Sequence, residues 1–176
     1  MGRVQVRAAV TAYFQNADLP YVGTVYSGRP TVISEQDYVA NMMGTIVVSD
    51  NGSSCVLVVN MPSDDRERIA ETGRGAVDDM AKYTVTLEMF FGSTLGDAIA
   101  AQNDYDTIID AITTAIRSDA TLNAPLVIWQ AGEYPTPSIR HRQGAPYTGP
   151  DGLTTFIPGT VEFEAWQNIV GPVSSL

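Results

Sequence analysis

The 176-residue chain has a single cysteine, a single histidine and a single lysine. With Cys55 alone no intrachain disulfide can form, which excludes a disulfide-stapled secreted scaffold. With His141 alone, multi-histidine metal sites and zinc helix motifs are excluded. Basic charge is also scarce: 10 Lys+Arg stand against 20 Asp+Glu, a net charge of −10. Neutralising many phosphates takes a basic face, so a broad grip on nucleic acid does not fit, and neither does adhesion to an anionic membrane. No apolar run approaches the roughly 18 residues of a membrane span. Charge and small residues interrupt 1–6, unlike a signal peptide, so the expectation is synthesis in the cytosol.

What is present suits one soluble globular domain over 1–176, with 44% apolar and 17% charged residues. A chain of this size buries roughly 70% of its unfolded surface on folding and needs no covalent or metal staple. The charge is uneven. Residues 61–119 hold twelve acids and five bases, a net of −7, whereas the flanks are nearly balanced. Such a segment can be a solvated face, a repulsive tag between copies or the lining of a polar channel.

Residues 3–17 repeat Val6, Val10, Tyr13 and Phe14 at helical spacing, and Leu19-Pro20 ends the helix. Residues 21–33, with Gly23, Gly28 and Pro30, read as an extended segment or edge strand. Val/Ile-rich stretches at 45–49 and 55–60 flank Asn51-Gly52, a hairpin pattern. Residues 62–81 are polar and read as a surface connection or a short helix through Ala70. In 82–92, Tyr83, Val85, Leu87 and Met89 alternate with Thr84, Thr86 and Glu88, a half-buried strand. A helix follows, with Thr94 as N-cap, a break at Asn103 or Asp104, and a buried stripe of Ile108, Ile109, Ile112 and Ile116. Residues 126–130 read as a strand. The stretch 132–152, with Pro135, Pro137, Pro146 and Pro150 and four glycines, reads as a long irregular loop inserted in the domain. Residues 160–168 alternate again, Val161, Phe163 and Ala165 against Glu162, Glu164 and Trp166. The order predicts an α+β fold: a mostly antiparallel sheet with one or two helices on one face.

Catalytic equipment is sparse. Gly73-Arg74-Gly75 is too short for a phosphate-cradling loop, and no Gly-x-Ser-x-Gly elbow occurs. Cys55 sits in the run CVLVV, where a small buried thiol is the expected role rather than a nucleophile paired with His141. Asp106 and Asp110 lie one helical turn apart, and Asp64-Asp65 and Asp78-Asp79 are adjacent, yet none sits in a loop of alternating cation ligands. The expectation is no catalytic residue, no metal and no cofactor. What remains is surface. Arg140, His141 and Arg142 crowd the tip of the proline-rich loop, and Trp166 shares a face with two glutamates. A basic tip and an acidic body suit head-to-tail contact between copies.

The N-terminal helix followed by LPYVGTVYSGRP, the strand KYTVTLEMFFG, the helix around DYDTIIDAITTAIRSDATL and the closing strand TVEFEAW together resemble the tail terminator proteins of long-tailed bacteriophages. The resemblance spans roughly 3–130 and 155–168 as a pattern of elements, and 132–152 has no counterpart in it. It implies a non-catalytic virion protein, made in the host cytoplasm, that forms a homo-oligomeric ring, typically a hexamer, on the head-proximal end of the tail. Its partners would be the tail tube protein, whose polymerisation it stops, and the head–tail connector proteins that dock on it. DNA would pass through the lumen without being held. In that setting Arg140, His141, Arg142 and Trp166 are candidate subunit or docking contacts. Asp64, Asp65, Asp78, Asp79, Asp106 and Asp110 are candidates for an acidic lumen lining. The alternatives are a head-completion or connector-adaptor protein of the neck and, from a different class, a small acid/base hydrolase using carboxylates and His141.

Overall fold

In a computed structural model, residues 2–29, 52–72, 76–94, 96–128, 130–132, 139–149 and 152–170 are described, with backbone alone at 63–72, 76–80 and 168–170. The described elements run α1 (Arg3–Asn16), β1 (Val22–Ser27), β2 (Ser53–Thr72), β3 (Ala76–Ser93), α2 (Ala98–Ser118), β4 (Gln130–Gly132), β5 (Arg140–Gln143), β6 (Tyr147–Thr148) and β7 (Thr155–Val170). The fold is α+β, as the order of elements predicts. Among the described residues one seven-stranded sheet follows the order β1-β2-β3-β7-β4, with β5 and β6 also paired to β7. All pairings are antiparallel except β1 with β2. β1 is the edge strand that 21–33 predicts.

Strand alternation decides which face meets the helices. Tyr83, Val85, Leu87 and Met89 of β3 are buried beside Cys55, Leu57 and Val59 of β2 and Val161, Phe163 and Ala165 of β7. Against this face pack Val6, Val10 and Phe14 of α1 and Ala101, Tyr105, Ile108, Ile112 and Ile116 of α2. Their spacing of three or four residues puts them on one helical stripe. Each large apolar side chain so buried contributes about 1.5–3 kcal/mol. The Tyr13 hydroxyl donates to Ala115 O at 2.6 Å and ties the helices together.

Four local expectations are corrected. First, 62–72 and 76–81 are neither helix nor loose connection: β2 and β3 pair through them as far as Thr72 opposite Ala76, and β7 joins β3 as far as Val170 opposite Asp78. Second, the N-cap of α2 is Asp97 rather than Thr94, because the Asp97 carboxylate accepts from Ile99 N at 2.8 Å and Ala100 N at 3.4 Å; the helix then runs unbroken through Asn103 and Asp104. Third, 125–127 form turns and the strand begins only at Gln130, leaving Leu126 87% exposed. Fourth, 132–152 holds two short strands, β5 and β6, between its prolines. The first arm of the Asn51-Gly52 hairpin, 45–49, lies outside the described residues.

Three short strands thus line up along one edge of β7: β6 at its start, β5 in the middle and β4 near Trp166. β5 is fastened to α2 by reciprocal hydrogen bonds between the Gln102 and Gln143 amides, at 2.8 and 3.1 Å. Between them the Tyr105 ring crosses β7 at Gly159, where a β-carbon would collide with the Tyr105 hydroxyl and meet Arg142 O at 3.3 Å. Gly159→Ala is therefore expected to destabilise the fold by about 1–3 kcal/mol through overpacking. In urea titrations the double variant with Tyr105→Phe should lose less than the sum of the two single losses. Additive losses would show that the two residues do not press on each other.

Candidate functional site

The face of the sheet away from the helices carries the polar chemistry. Register aligns Asn60, Thr86, Glu162 and Arg140 in one row across β2, β3, β7 and β5, and Val58, Glu88, Thr160 and Arg142 in the next. Val56, Val58 and Phe90 on this face are buried although they lie outside the helix-side core. Glu88 is 6% exposed, an unusual place for a carboxylate in a strand. Arg29, just beyond β1, answers it: Nε donates to the two carboxylate oxygens at 2.8 and 3.1 Å, and Nη2 approaches Oε1 at 2.7 Å. Asn60 Nδ2 adds a third donor at 3.1 Å. A forked guanidinium is the group suited to holding a carboxylate in this way.

Around this pair the surface dips. One hollow of about 290 Å³ is lined by residues including Asn60, Thr86, Arg140 and Glu162, and another of about 330 Å³ by residues including Phe90, Gln143 and Pro158; both share Arg29, Glu88, Arg142 and Thr160. They form one open groove over β3, β7 and β5. Arg140 and Arg142 are exposed at its rim. Among the described residues neither makes an ion pair, in contrast to Arg29 with Glu88 and Lys82 with Glu164.

The expected basic tip is redistributed. Arg140, His141 and Arg142 are successive residues of a strand, so their side chains alternate between faces. The two arginines face the groove. His141 turns to the helix side, where its Nε2 lies 3.0 Å from the Tyr105 hydroxyl. Trp166 shares the face of Glu162 and Glu164, as the alternation predicts, but it is only 6% exposed, and Lys82 Nζ sits 5.7 Å from its ring centroid. It packs rather than projects.

The six candidate acids divide between two places. Asp106 and Asp110 are exposed on α2. Asp64, Asp65, Asp78 and Asp79 lie in the β2–β3 pairing beyond Met61 and Ala81, the last of the core positions on those strands. Register sets Asp65 opposite Lys82 and Arg68 opposite Asp79. Asp104, expected from sequence only as a helix break, accepts a 2.7 Å bond from Ser53 Oγ and so joins α2 to the sheet.

Three groups that could take part in proton transfer are shifted by burial. Cys55 is fully buried, and desolvation pushes its thiol up to about 12. Tyr105 is likewise raised, chiefly by burial. Burial holds His141 below its usual value of 6.5 while nearby Asp106 opposes the shift. No cluster of three metal-ligating side chains occurs among the described residues. Arg29 and Glu88 carried no recognisable pattern in the sequence: they are separated by 59 positions and meet only through the β1–β2–β3 order.

No family model matches the chain, and no curated protein does. Among solved structures, a chain of the "Virion of native gene transfer agent (GTA) particle" is similar over 94% of this chain and 92% of that one, at 10% identity and a TM-score of 0.23. A likeness that slight carries no conclusion about function.

The His141 shift has a direction that can be checked. The folded chain binds this proton less readily than the unfolded chain, whose histidine titrates near 6.5. Between the folded value and 6.5 the unfolded state takes up more protons, so stability falls as pH falls through that window and is unaffected above it. His141→Gln should flatten this part of the urea-midpoint profile between pH 7 and 5. An unchanged slope would assign it to other groups.

Proposed function

We propose that the chain is a structural virion protein of a long-tailed phage, a tail terminator that assembles as a ring on the head-proximal end of the tail tube and catalyses no reaction. The observation that carries this reading is the β-arm. Pairing of β2 with β3 continues to Thr72 opposite Ala76, ten residues past the core section of β2. At about 3.3 Å per residue that is a ribbon of roughly 30 Å. Narrow ribbons are marginal in water unless something packs against them, and their edges invite pairing. A neighbouring subunit meets both needs. It also fits the sequence resemblance to tail terminators.

The mechanism is steric. One face of a closed ring copies the interface by which tube rings stack, and the other does not, so the tube stops growing and the head connector finds a flat docking surface. A heterologous interface whose rotation closes gives a ring, hexameric by the resemblance. DNA threading the ring must not stick. The exposed pair Asp106 and Asp110 on α2 suits a lumen wall that repels phosphate. A structure of the assembled ring with both side chains on its outer rim would refute that placement.

Electron microscopy of particles assembled without the protein tests the whole reading. Overlong tails without heads are expected. Tails of normal length left unjoined would instead make the chain a head-completion or connector-adaptor protein of the neck.

A further inference from the structure

We propose that the groove over β3, β7 and β5 of one subunit receives the acidic β-arm of a second copy, an inference that rests on the ring reading above and supplies its interface.

The groove has one ion pair already complete, Arg29 with Glu88. Among the described residues its remaining positive charge is Arg140 and Arg142, two residues apart on β5, exposed and on the same face. They stand opposite Glu162 and Thr160 in register, leaving one positive charge in excess over Glu162. The arm is the chemical complement. Residues 63–80 hold six carboxylates against Arg66, Arg68 and Arg74, a net of −3. Charge complementarity of this kind sets register and partner choice and speeds encounter.

A subunit's own arm cannot reach the groove. The groove arginines align with Thr86 and Glu88 of β3 through β7, inside the core section of the sheet. The arm leaves from Ala81 in the opposite direction along the same strands, so Asp79 lies seven positions from Thr86, about 23 Å away. Folding back would break the β2–β3–β7 pairing. Donor and acceptor surfaces are thus different parts of one chain that only a second copy can bring together. That is the condition for a heterologous contact, which closes into a ring when its rotation divides the circle.

The test is light scattering behind size-exclusion chromatography on the full chain, with thermal melts of each variant. Arg140→Glu with Arg142→Glu should raise the concentration needed for assembly at least tenfold while lowering the melt only slightly, since both side chains are exposed and the one new like-charge pair is that of residue 140 with Glu162. Asp64→Arg with Asp78→Arg should do the same; these positions stand opposite Tyr83 and Ala70 in register. Combining all four substitutions should restore assembly. Rings from either double variant at wild-type concentration, or no recovery in the combined chain, would overturn the proposal, as would a wild-type chain monomeric at every concentration. Tail length in particles lacking the protein judges the terminator reading separately, so the two can fail independently.

Discussion

The register of β3 between β2 and β7 is the constraint on which everything else rests. β3 is paired on both sides from Asp78 to Ser93, with one shift against β2 between Asn60 and Ser63 and another between Arg68 and Ala70. Because side chains alternate, a slip of one residue would turn Tyr83, Val85, Leu87 and Met89 outward and drive Glu88 among the helices. Burying that carboxylate without Arg29 would be costly, so the ion pair and the apolar face both disfavour the slipped register. The same alignment places Thr86 and Glu88 beside Glu162 and Thr160, and through them the two arginines of β5. Core, groove and arm are three readings of one alignment.

The two faces of the sheet have divided their work. The helix side is closed by aromatic and aliphatic packing, with Tyr105 seated over the one position of β7 where only a glycine leaves room. The far side mixes buried valines with a paired glutamate and an open hollow. β5 belongs to both. Its odd residues, His141 and Gln143, bond to α2, and its even residues, Arg140 and Arg142, face the groove. A strand only four residues long thus touches both α2 and the groove.

Much of this was legible in the sequence where apolar periodicity was strong. The helices, the alternation in 82–92 and 160–166 and the α+β class all follow from side chains spaced at 3.6 or 2 residues. The arm was not legible, because SDDRERIAET has charges at neighbouring positions and few β-branched residues; its strand character comes from pairing partners, not from its own pattern. β5 and β6 were hidden by the prolines around them, which interrupt an edge without preventing short pairings on β7. Arg140 and Arg142 stood out as charge, but their separation from His141 by face needed the strand to be known. Trp166 shows the reverse error: the right face was read, yet Lys82 and the sheet around it leave the indole little solvent.

The arm is an extension of strands that also build the domain: β2, β3 and β7 continue into it, with one irregularity in the β2–β3 register at the boundary, between Asn60 and Ser63. A pull along the arm would therefore load the inter-strand hydrogen bonds of the core in shear, many at once, rather than peeling them apart one by one, since those bonds lie across the strands. Tension applied at the tip would pass through β2 and β3 to their outer neighbours, β1 and β7.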